Sequence, residues 1–163
     1  MTSNAFATLA DRFGSVLDDF LGSAPLRRLA SADVTVEEYR SYIKQVYYYV
    51  RENPQIQAVG TAYFRGQQRS TVRSVLAHAV SEVGHEQMAL DDYVALGGDA
   101  SVVPYRNPHP ATTALTSFAY YQIHNLNPVG YLGYLFFLEF SPTQVGTKLC
   151  EQLLACNVPE HAL

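Results

Sequence analysis

Ala77-His-Ala-Val-Ser-Glu-Val-Gly-His-Glu-Gln-Met-Ala-Leu-Asp-Asp92 is the stretch on which the reading of this chain turns. At helical pitch His78, Glu82, His85, Ala89 and Asp92 fall in one stripe. Val75, Leu76, Val80 and Leu90 mark the segment as a packed helix rather than a solvated one. A carboxylate and an imidazole three residues apart, aimed into a bundle, are the donors a hard divalent iron or manganese ion takes. One Glu-x-x-His is a weak signal alone. It gains force when other helices bring further ligands.

Working outward, nearly every segment has helical periodicity. A first amphipathic helix is expected over Asn4–Leu21, with Phe6, Leu9, Phe13, Leu17 and Phe20 at helical spacing. Gly22–Asp33 reads as a connection around Pro25, with a turn at Leu26–Leu29. Thr35-Val-Glu-Glu38 is a capping-box signature that launches a second helix through Arg51. Asn53-Pro54 is expected to stop it and start a third over Gln55–Arg65. The fourth, Arg69–Leu96, carries the opening stretch and ends at Gly97-Gly98. Asp99–Pro110, with three prolines, is a connector. A fifth helix covers Ala111–His124, a sixth Val129–Phe140, and Ser141-Pro142 begins a seventh reaching Cys156. The fold class expected is all-α, in one domain.

Composition narrows the function. The 163 residues, about half of them apolar, can bury a real core. A net charge of -4 leaves no basic stripe for nucleic acid. No signal peptide is visible, because Met1–Leu21 carries Asp11, Arg12, Asp18 and Asp19 within an amphipathic pattern. Val129–Phe140 is too short for a bilayer span, which takes about 20 apolar residues. Cys150 and Cys156 have no metal-ligand spacing and read as reduced thiols. A cytoplasmic protein without nucleic-acid or membrane partners is the expectation.

Glu139 is the one acid in the apolar run Val129–Phe140, which is hydrophobic all round and so expected in the interior. A buried lone carboxylate costs several kcal/mol unless paired, neutralised or bound to a cation. No Lys or Arg lies on the preceding turn, and Lys148 is expected to face solvent. Glu139 therefore reads either as a metal ligand facing Glu82 and His85, or as an acid reaching water one turn before Pro142. His78 is either a ligand or supporting donor one turn before Glu82, or a hydrogen-bonded core histidine. Glu86 is expected to be solvated, Asp92 to pair with a surface base, and His124 to cap its helix. His109 and His161 lack ligand spacing to anything nearby. Tyr42, Tyr47, Tyr48, Tyr49 and Tyr63 read either as a channel lining or as aromatic core. No nucleophile constellation and no Gly-rich phosphate loop occur.

Tyr39-Arg-Ser-Tyr-Ile-Lys-Gln-Val-Tyr-Tyr-Tyr-Val-Arg51, then His78–Gly98 with Glu82-Val-Gly-His85 and the closing Leu-Gly-Gly, resemble the haem-oxygenase-like di-iron oxidases, or iron-containing redox enzymes. These are related in fold to the TenA and PqqC-like proteins. The order of Glu82 and His85, with Glu139 more than fifty residues later, is the most specific part. The resemblance implies a seven-helix bundle holding two ferrous ions without haem. It implies dioxygen as co-substrate and oxidation of a small molecule, fatty-acid-like or amino-acid-like. Glu82, His85 and Glu139 would be metal ligands, with His78 in support. The family's remaining ligands sit on a last helix in a His-x-x-x-Asp-x-x-His-like pattern. This sequence reaches Glu160-His-Ala-Leu163 where that helix would begin, and no Asp follows Asp99. The domain is therefore expected to be incomplete at its C-terminus, with partial metal binding and doubtful turnover.

Two other readings stay open: a metal-free TenA/PqqC-like enzyme of cofactor metabolism, and a non-catalytic helical interaction protein that could form a homodimer. A haem oxygenase proper would want a proximal His on the first helix, and the first His here is His78. A ferritin-like bundle would want a second Glu-x-x-His, which is missing.

Overall fold

The computed structural model describes residues 2–163, with side chains from residue 7 onward. Seven α-helices follow one another, three of the connections containing a 3₁₀ turn: α1 (Thr2–Leu21), α2 (Ala24–Ala30), α3 (Val36–Ala62), α4 (Val72–Glu82), α5 (Glu86–Ala95), α6 (Pro110–Asn125) and α7 (Tyr131–Ala155). No strand occurs among the described residues, so the chain is all-α as expected. Phe6, part of the anticipated stripe on α1, lies outside the described side chains.

The spine is α3, which packs against α4, α5 and α6. Its start is over-determined. Thr35 Oγ1 accepts from the Glu38 N–H at 3.2 Å, and the Glu38 carboxylate accepts from the Thr35 N–H at 2.9 Å, closing the expected capping box. Arg28 of α2 adds a fork onto the same carboxylate at 2.8 and 3.1 Å. The Arg28 bonds first, and the Thr35 backbone bond second, hold the Glu38 carboxyl down from 4.5 to about 2. Thr35→Ala is expected to cost about 1 kcal/mol. Because the folded pKa lies below the unfolded one, the Glu38 contribution is complete above about 4.5 and disappears as pH falls through about 2. Urea unfolding of the parent and Glu38→Gln across that range should show their difference shrinking as acid is added.

Two apolar clusters lie along α3. Ile43, Tyr47 and Tyr48 pack with Val103, Leu153 and Val158, and the Tyr48 hydroxyl donates to the Val103 carbonyl at 2.9 Å. Farther along, Ile56 and Phe64 pack with Val75, Ala119, Ile123 and Tyr131. A Cβ at Gly60 would meet the Tyr131 ring at 3.0 Å, so the absent side chain lets α7 approach.

The helix boundaries differ from expectation in an instructive way. Asn53-Pro54 does not divide two helices: Pro54 lies inside α3. Ser141-Pro142 likewise lies inside α7. An interior proline costs about 3 kcal/mol, and burial of α3 against two clusters outweighs it. Conversely, the single helix expected over Arg69–Leu96 is a 3₁₀ turn, α4 and α5, interrupted at Val83–His85 where Gly84 has φ +97°. The connection Gly22–Asp33 contains a true helix, α2. Nor is the apolar run on α7 interior all round: Tyr131 is fully buried, but Phe136, Glu139 and Phe140 are exposed. That face instead meets α1 at the edge of the bundle, through Phe13 against Phe136 at 5.2 Å and Phe20 against Phe137 at 5.6 Å. Both cysteines are free. Among the described residues, no helix is long and apolar enough to cross a membrane.

Candidate metal centre

Three helices and a turn converge at the site. α4 presents His78 and Glu82 one turn apart, the turn after α4 presents His85, and α7 presents Glu139. Glu82 Oε1 lies 3.2 Å from His85 Nδ1 and 3.8 Å from His78 Nε2. One ligand atom each from His78, Glu82 and Glu139 lie within 4.8 Å of one another. Glu82 is buried, 7% exposed, whereas both imidazoles are partly open to solvent. α3 closes the back of the site. Asn53 Nδ2 donates to Glu82 Oε2 at 3.3 Å, and Gln57 Oε1 lies 2.9 Å from His78 Nδ1.

His85 reaches Glu82 through a helix break, not along a continuous stripe. After Glu82 the chain turns through Gly84, whose N–H donates to the Glu86 carboxylate at 3.1 Å. The His85 N–H still donates to the Glu82 carbonyl at 3.2 Å. Glu86 is thus tied to this turn rather than simply solvated. Gly84 has open space around a Cβ but a φ that L-residues rarely adopt. Gly84→Ala is expected to cost about 1–3 kcal/mol and to displace His85, read as a lower unfolding midpoint together with weaker ferrous iron binding. Parental values for both would refute this.

The carboxylates open onto a cavity of about 340 Å³. Its walls are Ile43, Val46 and Val50 of α3, Met88 and Ala89 of α5, and Pro142 of α7, with Glu82, His85, Asp92 and Glu139 as its polar lining. Glu139, read either as a metal ligand or as an acid reaching water, is exposed at the cavity mouth, because its face of α7 is at the bundle edge. Partial desolvation and the Glu82 charge still raise its pKa, opposed by His78 and His85. Asp92, expected to pair with a base, pairs with none among the described residues. It is half-buried against the cavity, and desolvation, then Asp91, raise its pKa.

These residues fit a divalent iron ion. Two carboxylates and an imidazole within 4.8 Å form the O/N donor set that such ions take. Two acids that repel one another have no Lys or Arg among the cavity lining to neutralise them. A cation relieves that repulsion.

His124 does not simply cap α6: its Nδ1 lies 2.8 Å from the Tyr63 hydroxyl, and its ring stacks on Tyr120. His109 caps α6, accepting from the Ala111 N–H. None of the five tyrosines weighed as channel lining borders the cavity; Tyr47 and Tyr48 are core. Sequence reasoning overlooks Asn53 and Gln57. Their only signal is two amides four apart, one helical turn, on one helix.

Comparison with known proteins fits this geometry. The family described as "iron-containing redox enzyme" matches residues 40–163, and the chain belongs to that family. Among solved structures, a domain of unknown function with a haem oxygenase-like fold from Shewanella denitrificans OS217 superposes with a TM-score of 0.79 at 26% identity. The match covers 93% of this chain and 64% of that one, so the chain spans under two thirds of the length of the structure it resembles. The fold is haem oxygenase-like. No curated protein matches.

Proposed function

We propose, from membership of the iron-containing redox enzyme family, that this chain carries one iron's ligand set of a di-iron centre that oxidises a small organic substrate with dioxygen. The observation carrying this reading is the convergence of His78 and Glu82 of α4 with Glu139 of α7, with His85 beside Glu82 on the turn that follows. Iron, when bound, supplies Lewis acidity and one-electron chemistry at this point.

The chain's own residues divide the remaining work. Glu82, held by Asn53, gives a fixed anionic donor at the closed end of the site. Glu139 gives a second donor at the mouth, where partial exposure leaves it room to adjust. The Ile43, Val46, Val50 and Met88 wall receives an alkyl portion of a substrate and keeps water from the inner donors. A volume of about 340 Å³ suits a molecule of fatty-acid or amino-acid scale rather than a polymer.

Anaerobic titration with ferrous iron, followed by iron analysis and dioxygen uptake, tests the proposal. Partial uptake of no more than one iron per chain, with little dioxygen consumption by this form, is the expected result. Protein that takes up no iron under these conditions would overturn it.

A further inference from the structure

We infer that Gln57 is a positioning residue that makes His78 a metal ligand through Nε2. This rests on the metal reading above and adds to it the ring nitrogen by which His78 binds and the amide that orients that ring. Gln57 is fully buried at 0% exposure, and its Oε1 lies 2.9 Å from His78 Nδ1. A carboxamide oxygen only accepts, so the Nδ1 of His78 carries the proton. In a neutral imidazole Nε2 is then left with a bare lone pair.

That lone pair has no proton to share with the Glu82 carboxylate, and the 3.8 Å between Nε2 and Oε1 is too long for a hydrogen bond. An ion can bridge that gap instead, because two bonds of about 2.1 Å place their donors from about 3 Å apart at a right angle to about 4.2 Å when opposed. Asn53 acts in parallel on Glu82: its Nδ2 occupies Oε2, leaving Oε1 turned toward both imidazoles. Asn53 and Gln57 are one turn apart on the same face of α3, so one rigid helix fixes both donors. Their buried Oδ1 and Nε2 atoms have no hydrogen-bond partner among the described residues. Placing two amides there is costly for folding alone, which fits a positioning role better than a packing one.

The test uses the full chain, with ferrous iron alone as the probe. Nitrogen chemical shifts of the His78 ring in unaltered apo-protein should show the proton on Nδ1; a proton on Nε2 would overturn the inference. In anaerobic titrations Gln57→Leu should weaken iron binding about 10–100-fold. His78→Gln should weaken it at least as much, and the double variant should fall no further than His78→Gln, because Gln57 acts through the imidazole. Parental affinity in either single variant, or additive losses in the double variant, would overturn it. Glu82→Gln separates the two levels. If that variant loses iron while Gln57→Leu and His78→Gln keep it, the metal centre stands and only this inference fails. If Glu82→Gln keeps iron, the metal centre itself fails.

Discussion

Glu82→Gln is expected to lose ferrous iron binding by more than a hundredfold while leaving the unfolding midpoint of the metal-free protein close to the parent's. The loss should exceed the roughly 10–100-fold typical of a residue that only supports a ligand. Glu82 is 7% exposed, and one of its oxygens faces both imidazoles. A neutral amide of the same shape removes the charge that a cation needs at that point. It keeps an oxygen that can accept from Asn53, so the packing of α4 on α3 survives. It also ends the repulsion that raises the Glu139 pKa, which offsets any lost hydrogen-bond strength. Were Glu82 a structural acid, the pattern would invert, with a depressed midpoint and unaltered iron uptake. Parallel calorimetry and anaerobic titration separate the two outcomes.

What is legible in the sequence follows from which forces act locally. The helical class, the capping box at Thr35 and Glu38, and the breaks near Gly97 and Asn125–Pro128 rest on local periodicity and capping chemistry, and the structure has them. Pro54 and Pro142 read as stops because local sterics say so. Yet both lie where a long helix is held on either side, and tertiary packing decides. Gly84 escapes notice for the opposite reason. The residues around it keep helical spacing, and nothing local announces a φ of +97°.

At the site, Glu82 and His85 are visible because they share a short motif, and Glu139 because an acid in an apolar run needs a partner. All three line one cavity, but the exposure of Glu139 is legible only as one of two alternatives, because all-round hydrophobicity cannot distinguish burial in the bundle centre from packing against the phenylalanines of α1. Asn53 and Gln57 are invisible for a plainer reason. Amides carry no charge, and their role depends on α3 passing behind α4, which is a tertiary fact.

Tyr131 supplies the other large effect, and two substitutions there should move stability in opposite directions. Its ring is fully buried at 0% exposure and lies against Gly60, which has no side chain to keep it out. Tyr131→Ala empties that space, and partial collapse around it should leave a loss of about 3–5 kcal/mol. The Tyr131 hydroxyl, however, is buried without a hydrogen-bond partner among the described residues, and burial pushes its pKa up. Tyr131→Phe removes only that orphaned group while keeping the ring, so it should stabilise the fold by about 1 kcal/mol or more. The site should register the first change as well. Tyr131 opens α7, and Glu139 follows two turns later, so a helix loosened at Tyr131 presents its carboxylate less firmly. Denaturant unfolding should therefore rank Tyr131→Phe above the parent and the parent above Tyr131→Ala. Iron affinity should fall in Tyr131→Ala but not in Tyr131→Phe. If Tyr131→Phe destabilised the protein, the hydroxyl would have to be hydrogen-bonded. The approach of α7 to α3 would then rest on that polar contact as well as on ring packing.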